Sequence, residues 1–415
     1  MITLDRPISP ASLASLGCEN LAIQTVDANP KKLIAYLDFE ETFLVASPSD
    51  QSFWSKLQTL SGDQNLSFSG WVGFFGYELL AFHFGVEVKA VRDLSVPAGW
   101  FGRPATLIHL NEEETKIESL DSNRELEIEK RLHIPLSALS VPLTHHTPRC
   151  NLSFKRYKDI FHQAKEAILN GETYQIKISQ RFEADTRLDP LFAFTKLQKS
   201  NPAPEAFLLK TGSFSIVSCS PEVVIHKQAG DIITRPIGGT YRRDHPGTEH
   251  SLIERFLKDP KEVAEHNMLV DLERNDLSAL CQHGSVQIQN FREVESYAHL
   301  HHLVSTISGK LKENISMEEI VRAMLPGGSI TGCPKARTME WIDQLEPCFR
   351  GPYTGSFGTL HNNGDLHLNL IIRSMLILHD RCYTQAGGGI VVNSTPEYEY
   401  RENQTKAQAL LDLIK

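Results

Sequence analysis

The spacing of apolar and polar positions changes along this chain, and each change predicts an element. Through residues 1–120, short apolar runs such as LIAYLDF and TFLVAS alternate with turn residues, and SGWVGFFGYELL reads as a glycine-punctuated strand running into a helix. Residues 121–150 are charged, then rich in Pro, His and Ser, which predicts a connection to a larger part spanning 151–415. There the helical period returns: Phe154, Tyr157, Ile160, Phe161, Ala164 and Ile168 form one stripe, with Ser153 as a cap and Gly171 as the stop. The period then drops to two. In YQIKISQRF, Tyr174, Ile176 and Ile178 share one face and Gln175, Lys177 and Ser179 the other. Asp259 and Pro260 begin a helix carrying Glu262 and Glu265 one turn apart, Ser316 with Glu319 makes a capping box, and Pro334 starts a helix through MEWIDQL. Towards the end, DLHLNLIIRSMLIL reads as one strand with His367, Asn369 and Arg373 on its polar face, turning at 379–381 into CYTQA and three glycines. Strands and helices are mixed without strict βαβ alternation, which predicts an α+β fold with large antiparallel sheets.

Composition narrows the partners. The chain has 415 residues, 41% of them hydrophobic, enough for a large core. Its net charge of -9, with no Lys/Arg run, speaks against nucleic acid or a membrane surface as partner, so an anionic small substrate would need local cations. Seven scattered cysteines without a CxxC or Cys/His ligand spacing point to free thiols in a reducing compartment. With no signal-peptide pattern and no apolar run of bilayer length, a cytoplasmic protein is expected.

Chemistry concentrates in AGGGIVVNSTPEYEYRENQTKA, residues 386–407. Gly387, Gly388 and Gly389 can bring backbone close to a ligand or form an anion-cradling turn. Ser394, Pro396 and Glu397 read as a helix start, after which Glu399, Glu402 and Lys406 fall on one face. Two acids beside an anion seat suggest Mg²⁺ bridging protein and substrate. The same residues also fit an ordinary i, i+4 ion pair and a tight turn. Glu222 and His302, taken singly, fit a solvated strand-end acid and a core histidine, whereas Arg373 on an apolar strand wants a carboxylate.

The combination resembles the chorismate-utilising enzymes, which include anthranilate synthase component I, aminodeoxychorismate synthase component I, and the isochorismate and salicylate synthases. The resemblance rests on GETYQIKISQRF, SPE (220–222), TRPIGGTYRR, EHNMLVDLERNDL, HHLVSTISG, LPGGSITGCPKARTMEWIDQLEP, RGPYTGSFG, NLIIRS and the glycine segment above, and covers essentially all of 150–415; GWVGFFGYEL extends it loosely into the N-terminal part. It implies a layered α+β fold of two large antiparallel sheets with flanking helices, to which the N-terminal segment contributes. It further implies Mg²⁺ held by Glu265 and Glu402, with Glu262 and Glu399 one turn earlier on metal-bound waters. Chorismate carboxylates would sit on Tyr353, Arg373, Lys406 and the Gly387 backbone, beside Gly388 and Ser329. Glu222 would be the acid protonating the departing 4-hydroxyl, and His302 and Thr240 would flank the ring.

Within the family, relatives that add water carry Lys where this chain has Gln175, and those that add ammonia carry Gln, so an aminating enzyme is implied. PGGSITG, AGGGI and HHLVSTI look more like aminodeoxychorismate synthases, but Gly238 stands where many of those have a nucleophilic lysine and anthranilate synthases have Ala. The favoured expectation is formation of 4-amino-4-deoxychorismate, with anthranilate formation as the alternative. None of the seven cysteines lies on a glycine-rich elbow of the glutaminase kind, so ammonia is expected from a separate glutaminase subunit. A Mg²⁺-dependent phosphoryl-transfer protein lacks its Gly-Lys-Ser/Thr signature here, and the intact Glu222, Glu265 and Glu402 speak against an inactive diacid-binding paralogue.

Overall fold

The computed structural model describes residues 1–58, 65–133, 147–243, 249–297 and 300–414, and the side chains of Thr240 and Arg242 lie outside that description. Its ladders are antiparallel and join into two sheets that share strands. One sheet runs from Gln175–Asp185 through Arg381–Ile390, Ser374–Leu378, Ser215–Ser220 and Glu205–Lys210 to Leu21–Val26. The other runs from Gly70–Phe75 through Ser356–His361, Leu366–Leu370, Val223–Gln228 and Asp231–Thr234 to Leu300–Lys310, which also pairs with Ile237–Arg242. N-terminal strands thus pair with C-terminal ones in both sheets.

Three bends join the sheets. In the long Asn29–Val45 strand, Asp38 takes a left-handed φ of 50° and the register shifts between Phe39 and Glu41. Its first half therefore lines up beside Leu21–Val26, while its second half, through Gly99–Leu110, leads to Gly70–Phe75. The chain also changes sheet at Pro221 and Glu222, and again between Leu366–Leu370 and Ser374–Leu378, where Arg373 has a φ of 47°. These last two crossings lie side by side: the Cys219 N–H donates to Arg373 O at 3.1 Å and the Leu370 N–H to Glu222 O at 3.0 Å. Between the sheets Phe207 of one stacks on Phe357 of the other at 4.0 Å, both fully buried, each contributing about 2–3 kcal/mol of apolar burial.

Several expectations are corrected. DLHLNLIIRSMLIL is two strands, because the positive φ at Arg373 breaks the ladder; His367 then bonds Glu205 and Asn369 bonds the Glu205 carbonyl, away from Arg373. Gly387, Gly388 and Gly389 form no turn: they lie in the regular Arg381–Ile390 strand opposite Ser179, Ile178 and Lys177. The cap of the Pro396–Leu411 helix is Thr395, and Ser394 instead hydrogen-bonds Glu399 at 2.8 Å. Tyr174 precedes its strand and is 70% exposed. Residues 122–132, inside the expected connection, form a helix capped by Asp121, and 134–146 lie outside the described residues. The locally encoded caps stand as expected at Ser153, Asp259 and the Ser316/Glu319 box. All seven cysteines are free.

Candidate active site

The two adjacent sheet crossings open a cavity, and helices Pro260–Leu280 and Pro396–Leu411 close it from the side. Its lining includes Glu222, Glu262, Glu265, His302, Ser329, Tyr353, Arg373, Gly387, Glu399, Glu402 and Lys406, the Gly238 singled out in the sequence, and Lys177, Gly239 and Lys261, which were given no site role there. Of the expected site residues, Gln175 and Gly388 stand just behind the lining; for Thr240 only the backbone, paired with His302, is described.

Glu222 sits where a strand ends, 3% exposed, and Ser329 donates its hydroxyl to Oε1 at 2.6 Å. Burial pushes its carboxyl up to about 7, against the pull of Ser329, Lys177 and Arg373. A carboxyl poised there can hold a proton at neutral pH and give it up. Arg373, at its strained backbone position, donates Nη2–H to His302 Nε2 at 2.8 Å, while His302 Nδ1 donates to the Gly239 carbonyl at 3.0 Å. This fixes a neutral imidazole, and burial with the Arg373 charge holds it down at about 3. A neutral ring held this way can orient the guanidinium.

The other end of the cavity is a set of paired charges. Lys177 Nζ lies 3.5 Å and Gln175 Nε2 3.1 Å from Glu265 Oε1; Lys406 Nζ lies 3.2 Å from Glu402 Oε2; Lys261 Nζ lies 3.9 Å from Glu399 Oε1. Burial and then the neighbouring Glu402 raise Glu399. Burial acts on Glu402 in the same direction, but Lys406 and Lys177 outweigh it and hold it low. Among the described residues no three acids or histidines converge on one point as a finished metal cage. The donor set nevertheless fits a hard cation. Glu399 Oε2 and Glu402 Oε2 both reach within 2.9 Å of where a Cβ on Gly388 would stand, all donors are carboxylate oxygens, and lysines now balance them.

The glycines of this strand are explained by what lies against them. A Cβ at Gly389 would stand 2.1 Å from Gln175 Nε2 and one at Gly387 3.1 Å from the Tyr353 hydroxyl, to which the Gly387 amide donates. Beneath, Arg350 ties the site together: its guanidinium binds Glu346 and the carbonyls of Ile330 and Lys177, and Glu346 also receives the Ser179 amide and hydroxyl. Sequence reasoning placed Lys177 on the Gln175 face without giving it a site role, and missed Lys261 and Arg350. The i, i+4 spacings Lys261/Glu265 and Glu346/Arg350 were the available signals, although Lys261 turns to Glu399 instead.

The sequence is 31% identical over 406 residues to anthranilate synthase component 1 of Lactococcus lactis subsp. lactis, covering 92% of this chain and 89% of that protein. It is 33% identical over 379 residues to aminodeoxychorismate synthase component 1 of Bacillus subtilis, covering 87% and 81%. A match of 40% over 259 residues to anthranilate synthase component 1 1 of Haloarcula marismortui spans 53% of that protein's length. The fold superposes on anthranilate synthase component I from Streptococcus pneumoniae TIGR4 with a TM-score of 0.82 at 26% identity, over 94% of this chain and 92% of that one. Among the described residues no helix is long and apolar enough to cross a membrane. With residues 22–412 matching the family described as chorismate binding enzyme, the chain belongs to the chorismate-utilising enzymes.

Proposed function

We propose that this chain aminates chorismate with ammonia from a separate glutaminase subunit, giving 4-amino-4-deoxychorismate. One observation carries the amination chemistry. A buried, hydrogen-bonded acid, Glu222, raised to about 7, shares a cavity with the cations Arg373 and Lys406 and with a carboxylate set suited to Mg²⁺. In this reading Arg373, Lys406 and Tyr353 orient the two substrate carboxylates. Glu222 gives its proton to the departing hydroxyl oxygen, and Ser329 keeps the carboxyl aimed. Glu265 and Glu402, with Glu262 and Glu399 behind them, would hold Mg²⁺, whose positive charge would draw electron density toward a ring carboxylate as the hydroxyl leaves. Gln175, an amide pointed at Glu265, offers no base to activate water, which supports ammonia over water as the nucleophile. The glycine-rich PGGSITG and AGGGI segments support the 4-amino product. A second reading, anthranilate formation, is supported by position 238, which is glycine and carries no amine, and equally by the relatives named anthranilate synthase component 1. The test is incubation with chorismate, Mg²⁺ and ammonium followed by mass spectrometry, with and without a lyase that releases 4-aminobenzoate. 4-Aminobenzoate appearing only with the lyase supports the first reading, anthranilate the second, and recovery of unchanged chorismate or a hydroxylated product refutes amination.

A further inference from the structure

Helix Pro260–Leu280 carries a further acid that the chemistry above leaves idle. Glu273 is 2% exposed and shares the buried face of the helix with Leu269, Val270 and Leu277, where an apolar side chain would cost less. Its Oε2 is hydrogen-bonded to the Thr234 hydroxyl, and Oε1 has no hydrogen-bond partner among the described residues. The neighbouring ammonium of Lys335 is committed elsewhere: it lies 2.7 Å from Asp276 Oδ2 and donates to the Ala323 and Met324 carbonyls. Glu273 stands behind the cavity wall, next to Glu222. Residues 234–237 hold both acids, since Thr234 binds Glu273 and the Ile237 amide donates to the Glu222 carboxyl. The turn Gly328–Ile330 brackets them from another side. Its Ser329 holds Glu222, and a Cβ on Gly328 would stand 2.1 Å from Leu272 Cδ2, so the turn lies against the helix at the residue next to Glu273.

We propose that Glu273 is a positioning residue for the proton of Glu222: the two carboxyls, one in the cavity wall and one behind it, act as a pair that holds one proton between them and so keeps Glu222 loaded for transfer in mildly alkaline solution. This rests on the reading of Glu222 as the general acid and extends it. Two carboxyls in one dry space cannot both ionise easily, so the first proton leaves readily and the second is retained. The charges around the pair fit this. Burial and then Glu222 push Glu273 up to about 8, with Asp276 adding to the rise and Thr234 and Lys335 opposing it. On the Glu222 side, Lys177 and Arg373 face the pair and oppose its burial.

Two readouts separate the pair from the reading beneath it. The first needs no substrate: the infrared C=O band of protonated carboxyls is titrated from pH 6 to 9 in wild type, Glu222→Gln, Glu273→Gln and the double variant. Subtracting the double variant removes Glu78 and Glu399, also raised by burial. At pH 8 the wild type is expected to keep about two to three times the protonated carboxyl that the two single variants keep between them. Equal amounts overturn the inference. Should Glu273→Gln not fold, Glu222→Gln decides alone: the most alkaline step of the band moves to lower pH than in wild type, and an unmoved step overturns the pair. The second readout is kcat with chorismate and ammonia saturating. The ratio of Glu273→Gln to wild type is expected to fall about threefold from pH 6 to pH 8, because no second carboxyl retains a proton in the variant. A purely structural Glu273 would lower kcat by one factor at every pH, so a constant ratio overturns the inference. If the wild type fails to aminate chorismate while the infrared titration is non-additive, the functional reading falls and the carboxyl pair stands.

Discussion

Replacing Glu222 by Gln keeps the shape and the Ser329 hydrogen bond but removes the transferable proton. Loss of a positioned general acid costs about 10²–10⁴-fold in rate, so kcat should fall by that factor, with KM for chorismate much less affected. The structure adds a pH signature. At about 1.4 kcal/mol per pH unit, the difference between the ordinary 4.5 and about 7 makes the ionised, buried Glu222 cost about 3 kcal/mol. Because the folded value lies above the unfolded one, the native state binds the extra proton. The stabilisation is full below 4.5, declines as pH rises and is gone above about 7. For a chain of this length that corresponds to about 4 °C in Tm. Differential scanning fluorimetry from pH 4 to 8.5 should therefore show Glu222→Gln gaining about 4 °C on the wild type between the ends of that range. Glu78, also raised by burial, cancels in the comparison, whereas Glu273 is raised by burial and then by Glu222 itself, so its easier ionisation in the variant adds in the same direction. With ammonia held saturating, wild-type turnover should decline as pH rises through about 7. A Tm difference independent of pH, together with undiminished turnover in the variant, would refute both the burial argument and the acid role.

Three further outcomes are expected. Removing Mg²⁺ with EDTA should abolish turnover, and Glu265→Gln or Glu402→Gln should cost most of it, with Glu399→Gln weaker at about 10–100-fold; full activity in EDTA would take the metal out of the mechanism. Gly388→Ala should weaken Mg²⁺ binding in a calorimetric titration, because its methyl group would stand 2.7 Å from Glu399 Oε2 and 2.9 Å from Glu402 Oε2; unchanged affinity would disprove the close fit. The purified chain should aminate with ammonium salts and not with glutamine alone, and glutamine turnover sensitive to thiol alkylation would show a glutaminase within the chain.

What the sequence made legible was local or repetitive. Ser153, Asp259 and the Ser316/Glu319 box cap helices through atoms three residues away, so a short window holds the whole cause. Glu399, Glu402 and Lys406 share a face because one helix carries them. The resemblance supplied Glu222, Arg373 and Tyr353, which no period would have brought together, and the structure puts them around one cavity. Hidden were effects whose cause lies far along the chain. Gly389 is small because of Gln175, and Gly238 because of His266. The left-handed backbone at Arg373 breaks an otherwise uniform apolar run, and only the change of sheet accounts for it.

The arrangement of charge explains how a chain of net charge -9 can receive a dianion. The cavity carries Glu222, Glu262, Glu265, Glu399 and Glu402, and against them Lys177, Lys261, Lys406 and Arg373. Three of the four cations lean on carboxylates, and the fourth, Arg373, leans on a histidine held neutral. A divalent cation settling on the carboxylates would displace the lysines electrostatically and free their charge for the substrate, so metal and anion should each strengthen the other's binding. Arg373 needs no such release. Its partner carries no charge, so in the proposed reading it is the cation ready to capture a carboxylate first, and its place at the crossing between sheets, backbone-bonded to Cys219 near Glu222, would set that carboxylate beside the proposed acid.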